Sequence, residues 1–195
     1  MKFFVNLIDQ LDFALDHIVL EDINYKRLSL MLVDNAMELA LHQYATEQSA
    51  DAWPLEAEPK IEPRVLAAAL GQNFDEKLKL ARLCGLVDED MVASITTLHS
   101  YRNQLYHQGI KHEQVLPALV LFYFRITCDV LIAYQPTGYS WSSGGKVPHR
   151  ALKYIGRESM RNPRQAFPAA WARLREVSES IPLDLTADLA ARQTR

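Results

Sequence analysis

Glycine, cysteine and long apolar runs are all scarce in this chain, and each shortage removes a class of structure. Seven glycines in 195 residues, without regularly spaced turn signals or short β-branched runs, leave little from which to build hairpins and sheets. The two cysteines, Cys84 and Cys128, lie far apart in apolar helical contexts with no Cys or His neighbour at metal-ligand spacing, so they read as two buried thiols in a reducing compartment. No apolar run reaches the roughly 20 residues of a membrane span; the longest, 115–123, is about half of that. The opening segment MKFFVNLIDQLDFALDHIVL has the apolar content of an export signal, but Asp9, Asp12 and Asp16 interrupt it and no small-residue cleavage site follows. The expectation is a cytoplasmic protein with no membrane partner. A net charge of −3 excludes a generally cationic coat for nucleic acid.

What is plentiful is Leu, Ala, Glu and Gln, with 49% hydrophobic residues, enough for a substantial core. The reading is all-α. Apolar Phe4, Leu7, Ile8, Leu11, Leu15 and Ile18 recur at three- and four-residue intervals and predict a helix over 4–19. A second helix is expected over 24–45, with Leu28, Met31, Leu32 and Leu39 on its core side. The stretch DAWPLEAEPKIEPR then carries three prolines, Pro54, Pro59 and Pro63, and predicts an extended loop. Short helices are expected over 64–70 and 74–84, the latter stopped by Gly85. Asp88, Glu89 and Asp90 place negative charge where the positive end of a helix dipole should start, predicting a helix to about residue 108 that stops at Gly109. An apolar helix over 113–134 follows, then a flexible break at 138–145 (GYSWSSGG), a basic segment, and a helix over 166–179. Residues 1–135 are thus expected to form one helical domain of four to six helices, and 136–195 a basic, partly helical C-terminal extension.

Charge is unevenly distributed. Residues 1–145 hold 11 Lys/Arg against 19 Asp/Glu, a balance of −8, whereas 146–175 hold eight Lys/Arg against Glu158 alone, a balance of +7. Lys146, Arg150, Lys153 and Arg157 head this segment. Two uses fit it: an arm that contacts RNA phosphates, or a helix face that pairs with the acidic body.

The helix over 88–108 carries the most informative residues. At about 100° per residue, His99, Arg102, Asn103, Tyr106 and His107 fall on one face, a position normally apolar but here polar or amphipathic throughout. Met91, Leu98, Tyr101 and Leu105 form an apolar seam on the other side, so the expectation is one face that anchors the helix and one free to act. The residue types on the free face suit phosphate chemistry. Histidine accepts and donates protons near neutrality, arginine presents a fork of donors matched to phosphate oxygens, and asparagine orients either without adding charge. Such a set can deprotonate a ribose 2′-hydroxyl and stabilise the crowded anion that forms, with no metal and no cofactor. Asp34, Glu38 and His42 repeat every four residues on the second helix and fit either a supporting layer for this site or a solvated stripe. His99 and Tyr106 are candidates for stacking on a base or orienting a ring, with packing as the alternative for Tyr106. A solvated helix surface is the bland reading of the whole face.

The string RNQLYH at 102–107 resembles the R-x4-6-H motif of HEPN domains (higher eukaryotes and prokaryotes nucleotide-binding), which commonly has a polar residue directly after the arginine. The context is similar as well: LMLVDNAMELALHQY resembles the family's earlier long helix, and NFDEKLKLARLCGLVDEDMVASITTLHSYRNQLYHQG its short helix, turn and motif helix. The resemblance covers roughly residues 4–135. It implies an HEPN-like helical bundle that forms a homodimer through facing motif helices, and a metal-independent endoribonuclease. Many members act as toxins restrained by an antitoxin protein, or as antiviral effectors. By the same resemblance Arg102 binds the scissile phosphate, His107 is general acid or base, Asn103 positions one of them, and the products are a 2′,3′-cyclic phosphate and a 5′-hydroxyl. In a subgroup a tyrosine two residues after the histidine is modified by a partner; here that position is Gly109, which argues against that mechanism. A non-catalytic HEPN module that binds RNA, nucleotide or a protein partner is the alternative.

Overall fold

The computed structural model describes residues 1–51, 61–108, 115–139, 147–156 and 161–181, and the side chains of all of these except 51, 107 and 108. The described residues form eight helices and no strand, as the composition requires. In order they are α1 (Lys2–Ile18), α2 (Ile23–Asp51), α3 (Pro63–Ala69), α4 (Phe74–Leu83), α5 (Glu89–Gln108), α6 (Leu116–Ala133), α7 (His149–Ile155) and α8 (Pro163–Glu179). Most of the proline-rich loop, the stop at Gly109, most of the break at 138–145, Lys146, Arg157 and the side chain of His107 lie outside the described residues.

Helix α1 buries the six apolar residues that predict it, together with Asp12. Helix α2 departs from expectation. Leu28 and Leu39 are exposed and Met31 and Leu32 half-buried, while Leu30, Val33, Ala36, Met37, Ala40, Leu41 and Ala45 are buried. The reason is that α2 packs against α1, α4 and α6 at once. Its buried arc is therefore broad and is filled partly by alanines, so the largest side chains are a poor guide to its inner face. Asp34 lies within that arc and is fully buried.

The turn from α4 to α5 sets the direction of the motif helix. Gly85 adopts φ 76°, and the amides of Gly85 and Leu86 donate to the carbonyls of Arg82 and Ala81 at 3.0 and 2.9 Å, the left-handed stop that its position predicts. Asp88 then accepts from the Met91 amide at 2.8 Å, satisfying one of the free donors at the start of α5. Asn73 does the same for α4, accepting from the Asp75 amide at 2.9 Å.

Helix α6 runs through the main core, with Tyr123, Phe124, Leu121 and Leu131 buried. Contrary to the reading of the apolar runs, it is long and apolar enough to cross a membrane by length and composition, with a mean hydropathy of 1.8. It carries Arg125 and Asp129 and packs against α1, α2, α5 and α8. The segment expected as an extension contributes α7 and α8, which share the core of the first six helices: Phe167, Trp171, Leu174 and Tyr154 pack in the same cluster as Phe4 and Phe124. Phe167 sits 5.4 Å from Phe4 and 5.4 Å from Tyr139, ring centre to ring centre, closing α8 onto α1 and onto the segment that follows α6. Helix α7 is not expected from the sequence; Pro148 stands just before its first residue, and Gly156, at φ 69°, just after its last.

Candidate functional site

Helix α5 is held by the seam assigned to it. Leu98 is buried along with Ile95, and Met91, Tyr101 and Leu105 pack against the core. The opposite face is only partly free, and this corrects the sequence expectation. His99 and Arg102 both turn onto the buried Asp34 of α2. His99 Nδ1 lies 2.7 Å from Asp34 Oδ1, and the Tyr123 hydroxyl of α6 donates to the same oxygen at 2.9 Å. Arg102 Nε lies 3.2 Å from the other oxygen, Oδ2, in ion-pair range. The N–H is not aimed along that line, so neither atom completes a hydrogen bond and both retain bonding capacity. Three helices thus meet on one carboxylate.

The chemistry of the partners fixes the protons. Burial, and then the charge of Asp34, push the Tyr123 hydroxyl well above its ordinary pKa, so Tyr123 remains a donor. With Oδ1 accepting from both rings, His99 carries its proton on Nδ1, which leaves Nε2 as the other ring position. Phe74, the first residue of α4, covers one face of the imidazole: the rings are 3.8 Å apart and 3° from parallel. The His99 side chain is 17% exposed, and among the described residues its Nε2 has no hydrogen-bond partner.

Arg102 extends outward from this anchor. Its Nη1 donates to Asn103 Oδ1 at 2.8 Å, and its side chain is 28% exposed. Asn103 is half-buried and Tyr106, one turn on, is 65% exposed. Arg102, Asn103 and Tyr106 therefore share a surface, with His99 recessed behind it. His107 follows on the same helix, and its side chain lies outside the described residues.

The stripe Asp34, Glu38 and His42 is not one feature. Asp34 is the centre of the buried network, Glu38 pairs at 3.4 Å with Lys77 of α4, whose side chain is 3% exposed, and His42 is exposed. The site residues that helix-face reasoning overlooks are Phe74, Lys77 and Tyr123. The hydroxyl of Tyr123, within the apolar run of α6, was the available signal, because a buried tyrosine needs a partner.

The basic segment is placed elsewhere. Arg150 and Lys153 on α7 close on α1: Arg150 Nη1 reaches Asp12 Oδ2 at 2.9 Å and also pairs with Asp16, and Lys153 Nζ reaches Asp12 at 3.0 Å. The Tyr154 hydroxyl donates to Asp12 Oδ1 at 2.6 Å, and Arg150 lies over the Phe13 ring at 5.2 Å. Arg175 pairs with Asp129 at 3.0 Å. Of the two uses weighed for this segment, pairing with the acidic body is the geometry seen at these residues. The cysteines sit apart from the site, Cys128 fully buried and Cys84 half-buried.

The fold and site together define an all-α bundle in which a buried carboxylate of α2 gathers a histidine and an arginine of α5 and a tyrosine of α6. Comparison with family models, with curated proteins and with solved structures returned no match.

Proposed function

We propose that this protein is a metal-independent endoribonuclease of HEPN type, cleaving RNA by attack of the ribose 2′-oxygen on the adjacent phosphorus. Arg102 binds the phosphate, Asn103 orients that guanidinium, and His107 supplies or takes a proton. The observation that carries the reading is the anchoring of Arg102: Nε rests beside the buried Asp34, while Nη1 is tied to Asn103 at the surface of a helix whose other side is packed. A guanidinium fixed in this way presents its remaining donors at little further ordering cost, which is what recognition of a phosphodiester requires. The homodimer implied by the HEPN resemblance belongs to the same proposal, with motif helices facing each other.

The test is incubation of purified protein with fluorophore-labelled RNA in EDTA. Cleavage to a 2′,3′-cyclic phosphate is expected, lost in Arg102→Ala and in His107→Ala; RNA left intact by the wild type refutes the enzyme reading. One observation favours a second reading, a non-catalytic module for RNA or a protein partner: Asp34 engages His99, Arg102 and Tyr123 simultaneously, an arrangement that also serves to clamp helices. RNA retained by the wild type without cleavage, and released by Arg102→Ala, would support it.

A further inference from the structure

The recessed half of the network has the features of a proton acceptor. A histidine works as a general base when one ring nitrogen is held by a carboxylate, which fixes the tautomer and steadies the imidazolium that forms, while the other faces the substrate. His99 meets the first condition at 2.7 Å from a carboxylate that is itself fully buried and locked by a second donor, Tyr123. Its ring cannot swing freely, because Phe74 stacks on it at 3.8 Å. Its second nitrogen has no bonding partner among the described residues, and the side chain retains access to solvent. The neighbouring oxygen of the same carboxylate lies beside Arg102, so imidazole and guanidinium are held side by side on one group, 2.7 and 3.2 Å from its two oxygens.

We infer that His99, oriented by Asp34, is the general base of this site, acting through Nε2 on the 2′-hydroxyl of an RNA strand whose phosphate Arg102 holds. The inference rests on the endoribonuclease reading and adds to it a base on each chain distinct from His107. In the step, the 2′-hydroxyl proton passes to His99 Nε2 as the 2′-oxygen bonds to phosphorus. The bond from phosphorus to the 5′-oxygen breaks, and His107 gives that oxygen its proton. No oxidant or other reactant enters. Asp34 and Tyr123 act through His99 and are positioning residues. The charged and titratable groups around the imidazole are Asp34 from α2, Arg102 from α5 and Tyr123 from α6. Glu38, one turn beyond Asp34, is paired with Lys77 of α4.

The test is the pH dependence of cleavage of a labelled random-sequence RNA pool by the full chain in EDTA. A base must lose its proton to act, so the wild-type rate should rise with pH along an acid limb. His99→Gln, whose amide can still donate to Asp34, should lose about 10²–10⁴-fold in kcat with KM little changed, and should lose that acid limb. Asp34→Asn should lower kcat by a smaller factor and keep the limb. Cleavage by His99→Gln at the wild-type rate with an unchanged profile overturns the base assignment while leaving the endoribonuclease reading standing; absence of wild-type cleavage overturns both. A second measurement needs no variant: ¹⁵N spectra of the histidine rings should show His99 protonated at Nδ1 and not at Nε2, and adding a ribonucleoside 3′-monophosphate, which keeps the 2′-hydroxyl beside a phosphate and cannot be cleaved, should move the Nε2 signal. The opposite tautomer, or an Nε2 signal that does not respond, overturns the assignment as surely.

Discussion

Tyr123→Phe isolates the network from the packing around it. The ring is fully buried in α6, and the substitution removes one oxygen and no carbon, so it leaves essentially no cavity. Were the hydroxyl without a partner, its removal would be neutral or stabilising, because an unpaired buried polar group is itself a cost. The hydroxyl donates at 2.9 Å to a carboxylate with no solvent of its own, and hydrogen bonds to charged groups contribute about 1.5–3 kcal/mol. Asp34 keeps His99 and Arg102 nearby, so the carboxylate is not stranded, and a loss of about 2 kcal/mol is expected, a large part of a stability on the order of 5–15 kcal/mol. Urea unfolding followed by circular dichroism measures it, with the midpoint lowered and the slope unchanged. Burial and the adjacent charge raise the folded pKa of this tyrosine, so its contribution is complete below the unfolded value, about 10, and is lost as pH rises through the folded one. Wild type and Tyr123→Phe should therefore converge only in strong alkali. A double-mutant cycle with Asp34→Asn should return a coupling of about 0.5–3 kcal/mol. A Tyr123→Phe variant as stable as the wild type, or losses that simply add in the cycle, would refute the claim that Asp34 is held by this hydroxyl.

Two further outcomes follow from groups outside the site. Burial by itself raises the Asp12 carboxyl pKa, but hydrogen bonds from Tyr154, Lys153 and Arg150 outweigh it and hold the group below its ordinary value. The stability it contributes is present above the unfolded carboxylate value, about 4, and is lost as pH falls through the folded one. Asp12→Asn should thus be less stable than wild type at neutral pH and approach it in acid, measured by urea midpoints across that range; a constant gap would count against the network. Cys128 is fully buried and burial pushes its thiol pKa up, whereas Cys84 is only half-buried, with burial raising its pKa against a hydrogen bond from Tyr44. Iodoacetamide followed by peptide mass spectrometry should label Cys84 first and Cys128 only as the whole bundle unfolds; equal rates would contradict the packing of α6.

Much of the fold is legible because helix signals are local. The α4 stop at Gly85 and the acidic start of α5 depend on a few adjacent residues, and both stand where the residues predict them. The apolar repeat of α1 is equally plain, because that helix buries a narrow arc of large side chains. Helix α7 is missed for a local reason too: seven residues, HRALKYI, carry too little periodicity to declare a helix, and its stability comes from Ala151, Tyr154 and Ile155 seated against the core. The two ends of the chain also look separate in sequence, one acidic and one basic. That contrast is what joins them, since Asp12 and Asp16 are the partners of Arg150 and Lys153.

The site divides along the same line. Its α5 residues are legible as a face of one helix, but the groups that decide what the face does lie 65 and 89 positions apart from their partners, on α2 and α6. That the role of Asp34 stayed undecided between support and solvated stripe, and that the inner face of α2 was misplaced, have one cause. Once Leu30, Val33, Met37 and Leu41 are seen to point inward, Asp34 must do so as well, and a carboxylate on a buried face demands donors. An amphipathic face elsewhere in the chain that offers a histidine and an arginine then stops being a solvated surface and becomes the natural source of those donors. Asp34→Leu tests that order of dependence: His99 and Arg102 would lose their shared anchor while α2 gains apolar area. The variant should lose about 3–5 kcal/mol in urea unfolding, because only one partner is removed and the buried donors of Tyr123 and Arg102 are left without their acceptor; a variant as stable as the wild type would refute the claim that Asp34 anchors them.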